Sequence, residues 1–137
     1  MSDGWKEESM IKFVIDAYAW VEYLEGSEKG KRASEIIEDD SNEIFTSSAT
    51  IAEIISKILR KNQDIMVALN YINNFSMVYD VTQEIGISAA QIHFEAKKKN
   101  KNFGMLDSFV AATAQKIGAK ILTGDNDFKG FREAIFI

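Results

Sequence analysis

The chain has 137 residues, 46% hydrophobic and 27% charged, with a formal net charge of −5; this is the size and balance of one globular domain that buries roughly two thirds of its unfolded surface. It contains no cysteine, no proline and a single histidine, which excludes disulfides, thiolate zinc sites, thiol nucleophiles and most imidazole metal sites. No run reaches the roughly 18 apolar residues of a membrane span, and the opening Met1-Ser2-Asp3-Gly4-Trp5-Lys6-Glu7-Glu8-Ser9 is acidic where a secretory signal is basic, so no membrane is expected and a cytoplasmic location is the default.

Ile11-Lys12-Phe13-Val14-Ile15 reads as a buried strand closed by Asp16. Residues from about Ala17 to Glu25 read as a helix stopped by Gly26, and a second helix runs from about Lys29 to Glu38. After the turn Asp39-Asp40-Ser41-Asn42 comes a short strand, Glu43 to Ser47. Thr50 to Lys61 carries apolar residues at 51, 54, 55, 58 and 59, which is helical spacing, and another helix spans about Gln63 to Asn74. Met77 to Val81 is a third strand, Gln83 to Lys99 a long helix and Leu106 to Ile117 a shorter one. Gly118 suits the left-handed residue that ends that helix, a strand follows to Thr123, and Ala134 to Ile137 reads as a last edge strand. Strands alternating with helices require crossover connections. The expected architecture is therefore a three-layer α/β/α fold around a mostly parallel central sheet of four to five strands.

Two of these strands end in an acid. In an open parallel sheet the ligand crevice lies beyond the carboxyl ends of the strands, which directs Asp16 and Asp125 toward one cleft. Two further acids are candidates for it. Glu53 interrupts Ala49-Thr50-Ile51-Ala52-Glu53-Ile54-Ile55, and Asp107 opens Asp107-Ser108-Phe109-Val110-Ala111-Ala112-Thr113-Ala114. Converging carboxylates without His or Cys point to Mg²⁺ or Mn²⁺. Each acid also has an ordinary explanation: Asp16 as a helix cap, Asp107 at a helix dipole, Glu53 paired with Lys57, and Asp125 and Asp127 as turn residues. Together these explanations are less convincing, because a buried unpartnered carboxylate is costly and an ion is the simplest compensation.

The negative net charge argues against a nucleic-acid partner until a divalent ion is counted against the acids. Lys97, Lys98, Lys99 and Lys101 form one basic cluster, and Lys57, Arg60 and Lys61 another. Both are ordinary at helix C-termini. The first of them, followed by Phe103, would alternatively guide RNA by charge and stacking. Tyr18, Trp20 and Tyr23 read chiefly as core residues, and His93, with no second base, as structural.

Four pieces in order resemble the PIN domain family, in particular its small prokaryotic VapC-type toxins: Phe13-Val14-Ile15-Asp16-Ala17-Tyr18-Ala19-Trp20, Thr50-Ile51-Ala52-Glu53-Ile54, Leu106-Asp107-Ser108-Phe109-Val110, and Ile121-Leu122-Thr123-Gly124-Asp125-Asn126-Asp127-Phe128. The resemblance implies a single nuclease domain over 10–137, with residues 1–9 a leader or cloning remnant and Met10 the original start. It further implies that Asp16, Glu53, Asp107 and Asp125 form the catalytic metal site of a Mg²⁺- or Mn²⁺-dependent endoribonuclease. Asp127 is implied as a weaker fifth acid, and Thr123 as a residue whose hydroxyl supports the site. A homodimer and a cognate antitoxin covering the cleft are implied as well.

Hydrolysis of a phosphodiester needs an activated water and stabilisation of charge on phosphate, both of which a divalent ion supplies. On this reading Asp16, Asp107 and Asp125 hold the ion, Glu53 orients or deprotonates the attacking water, and products carry 5′-phosphate and 3′-hydroxyl ends. A response-regulator-like or other phosphoryl-transfer domain is the enzymatic competitor; it lacks an Asp-x-Asp after the first strand and a Gly-x-x-x-x-Gly-Lys loop. The remaining alternative is a catalytically inactive module of the same fold that binds RNA or protein.

Overall fold

The computed structural model describes residues 10–137; the expected leader, residues 1–9, lies outside the described residues. Along the chain come β1 (Ile11–Ile15), α1 (Ala17–Glu25), α2 (Glu28–Ile37), β2 (Asn42–Ser47), α3 (Ser48–Arg60), α4 (Ile65–Phe75), β3 (Met77–Tyr79), α5 (Gln83–Lys99), α6 (Met105–Ile117), β4 (Lys120–Thr123), a 3₁₀ turn (Asn126–Phe128) and β5 (Ala134–Phe136). Among the described residues no helix is long and apolar enough to cross a membrane.

The five strands form one sheet in the order β3-β2-β1-β4-β5, and every neighbouring pair is parallel. The chain therefore builds outward from β1 to β3, then returns to the other side of β1 to lay down β4 and β5. That reversal puts a topological switch point between β1 and β4, where crossovers diverge to opposite faces and a crevice opens.

Alternation along the strands divides the core in two, because successive side chains point to opposite faces. Phe13, Ile15, Ile44 and Leu122 pack with Trp20 of α1, Ala33 and Ile37 of α2, Ile54 and Ile58 of α3 and Ile72 of α4. Val14 and Ile121 face the other way, onto Val110, Ala111 and Ala114 of α6 with Phe103 and Phe128. Helices on both faces explain the nearly unbroken apolar runs of the central strands.

Side-chain caps set the helix starts. Asp16, Ser27, Ser47, Asp64 and Thr82 each accept a first-turn backbone N–H. Ser47 is both the last residue of β2 and the cap of α3, so α3 begins at Ser48 and not at Thr50, where apolar periodicity begins. β3 is shorter than expected because the Val81 N–H turns away to the Ser48 hydroxyl at 3.1 Å. Gly26 and Gly118 end their helices at φ of 69° and 70°, the left-handed conformation that lacks a steric cost in glycine.

Trp20 is fully buried, which bears out its core role, and its indole Nε1–H donates to Thr46 Oγ1 at 3.0 Å. Thr46 also meets Ser76 Oγ at 2.8 Å, and the Ser76 hydroxyl donates to the Ile72 carbonyl at 2.7 Å. Thr46→Val removes the acceptor yet keeps the shape, leaving a buried N–H unpaired. The expected loss is about 1–3 kcal/mol of unfolding free energy, measured by urea denaturation; an unchanged midpoint would contradict it.

Candidate metal centre

The residue after β1 is Asp16, only 4% exposed. Its backbone N–H continues the ladder to the Leu122 carbonyl of β4 at 3.1 Å. One carboxylate oxygen caps α1 by accepting the Ala19 N–H at 2.8 Å, and the other accepts the Thr123 hydroxyl. Thr123 Oγ1 in turn accepts the Asp125 N–H at 2.9 Å. One threonine thus ties the ends of the two strands flanking the switch point.

Beyond β4 the chain folds into the 3₁₀ turn, where Asp125 Oδ1 accepts the Asp127 N–H at 2.9 Å and Asp127 Oδ1 accepts the Asn100 side-chain amide at 3.1 Å. On the facing side, Asp107 in the first turn of α6 accepts the Gly104 N–H at 3.0 Å. Oxygens of Asp107, Asp125 and Asp127 come within 4.8 Å of one another, all three partly buried. Asp127, the weaker fifth acid of the sequence reading, thus lies with Asp107 and Asp125. Asp16 and Glu53 stand outside this trio as electrostatic neighbours: Asp16 feels Asp125 and Asp107, and Asp107 feels Glu53. Glu53 is half-buried on α3.

Burial raises the Asp16 carboxyl to about 7, against the lowering effect of the Thr123 and Ala19 hydrogen bonds, with the neighbouring anions adding to the rise. Asp107 is raised to about 6, again mainly by burial and further by Asp125, Asp127 and Glu53. Ion pairs among the described residues are Glu28–Lys31, Glu25–Lys61, Glu95–Lys98 and Glu84–Lys116, and none includes an acid of the cleft. Crowded carboxylates without a protein cation, offering only hard oxygen donors, fit a divalent ion of the Mg²⁺ or Mn²⁺ kind.

The ordinary explanations of two acids hold at the same time, since Asp16 is a helix cap and Asp107 a first-turn acid. Lys97, Lys98 and Lys99 occupy the last turn of α5, and Lys57 and Arg60 the last turn of α3, as helix-end cations do. One expectation is corrected: Phe103 is 1% exposed and packs in the core against Phe128 and Phe131, so it offers no ring for stacking with RNA. Sequence reading also passed over Asn100 and Gly104. Asn100 follows the lysine run as an ordinary helix-ending residue, and Gly104 contributes a backbone N–H that no side chain announces.

The PIN domain family model matches residues 13–134. Among solved structures, VapBC2 from Rickettsia felis bound to a promoter DNA fragment is similar over 93% of this chain and 98% of its own, at 17% identity and a TM-score of 0.72. A toxin-antitoxin complex from Klebsiella pneumoniae matches over 89% and 94%, at 20% identity and TM-score 0.70. VapC20 of Mycobacterium tuberculosis, described as a sarcin-ricin loop cleaving toxin, matches over 86% and 93%, at 16% identity and TM-score 0.70. No curated protein matches by sequence. An all-parallel five-stranded sheet between helices is consistent with the PIN fold, and the chain belongs to the PIN domain family.

Proposed function

We propose that the chain is a Mg²⁺- or Mn²⁺-dependent endoribonuclease, the toxin of a toxin-antitoxin pair. The observation that carries this reading is the gathering of Asp107, Asp125 and Asp127 beside the buried Asp16, with no protein cation among them. Asp16, Asp107 and Asp125 are the residues that would hold the ion, and Asp127, within 4.8 Å of Asp107 and Asp125, would join them directly or through water. When bound, the ion supplies an activated water and offsets the negative charge that grows on phosphate. Glu53, an electrostatic neighbour of Asp107 on α3, would orient or deprotonate the attacking water. Thr123 positions Asp16 and Asp125 relative to each other.

The structural neighbours include toxin-antitoxin complexes and a sarcin-ricin loop cleaving toxin, which supports an antitoxin partner and an RNA substrate for this chain. A homodimer belongs to the same reading.

The test is incubation of total RNA with purified protein in Mg²⁺ or Mn²⁺, beside EDTA and Asp107→Asn lanes. Discrete fragments with 5′-phosphate ends only in the wild-type metal lanes are expected. Cleavage that survives EDTA, or 2′,3′-cyclic phosphate products, would refute the mechanism. Thr123→Val keeps the side-chain shape but removes the hydroxyl. It is expected to lower activity or metal affinity about 10–100-fold, as loss of an orienting partner does; full activity at low metal would rule out the positioning role.

A further inference from the structure

A cavity of about 620 Å³ opens beside the acid cluster. Its apolar wall is formed by Ile92 and Ala96 of α5 with Phe103 and Phe131. Asp127 belongs to both places, lining the cavity and contributing an oxygen to the acid cluster. Asn100, also on the wall, holds Asp127 by its amide. The cavity thus adjoins the site, with Asp127 shared between the two.

Its chemistry is that of a base-binding pocket. Phe131 is half-buried and held in place, stacked on Phe103 at 5.2 Å and 17° and edge-on to Phe128 at 5.6 Å. A ring braced in this way presents aromatic surface with little entropy left to lose on binding. The exposed carboxamides of Gln91 and Asn126 offer both donors and acceptors to the edge of a heterocycle. Lys99 and Lys129 stand exposed on the wall as counter-charges for phosphate. An acidic peptide is disfavoured by Asp127 and Glu95 on the same wall, whereas a neutral base tolerates them. The volume lies in the range of pockets that enclose a small organic group.

We infer that this cavity receives the base of a single-stranded RNA nucleotide next to the scissile phosphate, with the base against Phe131 and its phosphate near Lys129. The inference rests on the ribonuclease reading above. It moves the stacking role from Phe103, whose ring is 1% exposed behind the cavity wall, to Phe131, which is half-buried on that wall. A single strand is required because a base must leave its duplex stack to enter.

The test is fluorescence anisotropy of a labelled mixed-sequence hexaribonucleotide binding the full chain, in EDTA and separately in Ca²⁺. Phe131→Leu, which keeps apolar packing on Phe103, is expected to weaken binding about tenfold. Lys129→Ala is expected to reduce the salt slope of log Kd by about 0.7. Arg32→Ala, exposed on α2, serves as the control that leaves both unchanged. An abasic oligomer of the same length is expected to bind both wild type and Phe131→Leu equally. Wild-type binding in both variants overturns the assignment and leaves the cavity to a protein segment; so does absence of wild-type binding in both buffers, or equal sensitivity of the abasic oligomer to Phe131→Leu. Mn²⁺-dependent hydrolysis of bis(p-nitrophenyl) phosphate reads the acid cluster without a base. Arg32→Ala is expected to leave it unchanged and Asp107→Asn to abolish it. A wild type inactive toward both that ester and RNA defeats the nuclease reading, whereas the anisotropy arms decide the base pocket on their own.

Discussion

Asp16→Asn is expected to eliminate metal-dependent RNA cleavage while making the metal-free protein more stable. The two effects share one cause. Asp16 is buried, has no cation partner, and its carboxyl is raised to about 7, so at pH 8 the folded chain carries an anion that burial disfavours. Asparagine removes that charge and keeps the local geometry. Its Oδ1 can accept the Ala19 N–H, and its amide can donate to Thr123 Oγ1, which has a lone pair beyond the one used by Asp125. A rise of about three pKa units corresponds to about 4 kcal/mol, an upper bound for the stability gained. The activity lost is expected to exceed the roughly 10–100-fold typical of an orienting partner, because a charge that would hold the ion is removed outright. Thermal unfolding in EDTA and fragment analysis in Mn²⁺ read the two halves separately. A variant that unfolds early assigns Asp16 to capping alone; a variant that still cleaves removes it from the metal site.

Metal-free wild type is expected to be more stable at pH 5 than at pH 8. In the unfolded chain Asp16 titrates near its ordinary value of 3.8, and in the folded chain at about 7. Between those values the folded state binds the extra proton, so unfolding free energy falls as pH rises through the window from about 4 to 7. Asp107, raised to about 6, acts in the same direction. This is the reverse of the usual carboxylate, whose salt bridge is lost in acid. Calorimetry at the two pH values should find the higher Tm at pH 5, and addition of Mn²⁺ at pH 8 should recover much of the difference by binding the folded state preferentially. A Tm that climbs steadily from pH 5 to pH 8 in EDTA would show that these acids are not held apart from solvent as described.

The order and kind of elements were legible because apolar spacing switches cleanly between strand and helix along the chain, and because Gly26 and Gly118 stand where helices must stop. Asp16 and Asp125 were legible as companions once two strands ending in acids were assigned to one parallel sheet. Other features depend on geometry that side-chain identity does not encode. The nearness of Asp127 to Asp107 comes from a single 3₁₀ turn, and in sequence Gly124-Asp125-Asn126-Asp127 reads equally well as an ordinary loop. Gly104 acts through its backbone. Phe103 looked available because it follows a run of lysines, but the chain turns inward there and its ring joins Phe128 and Phe131. Ser47 was read as a strand residue alone, since polar caps carry no periodic signal.

The strand that completes the cleft follows β1, β2 and β3 in the chain, yet it lies beside the central β1. β4 pairs with β1 in register from Phe13–Lys120 to Ile15–Leu122, a separation that spans most of the chain and makes this contact slow and entropically demanding to form. β1, β2 and β3 form one side of the sheet without β4. That side holds Asp16 and Glu53 but has neither Thr123 to orient Asp16 nor Asp125 to face it. Asp16 and Asp125 come together only when β4 inserts beside β1, so the cleft is closed by the longest-range strand pairing of the fold and by no local turn.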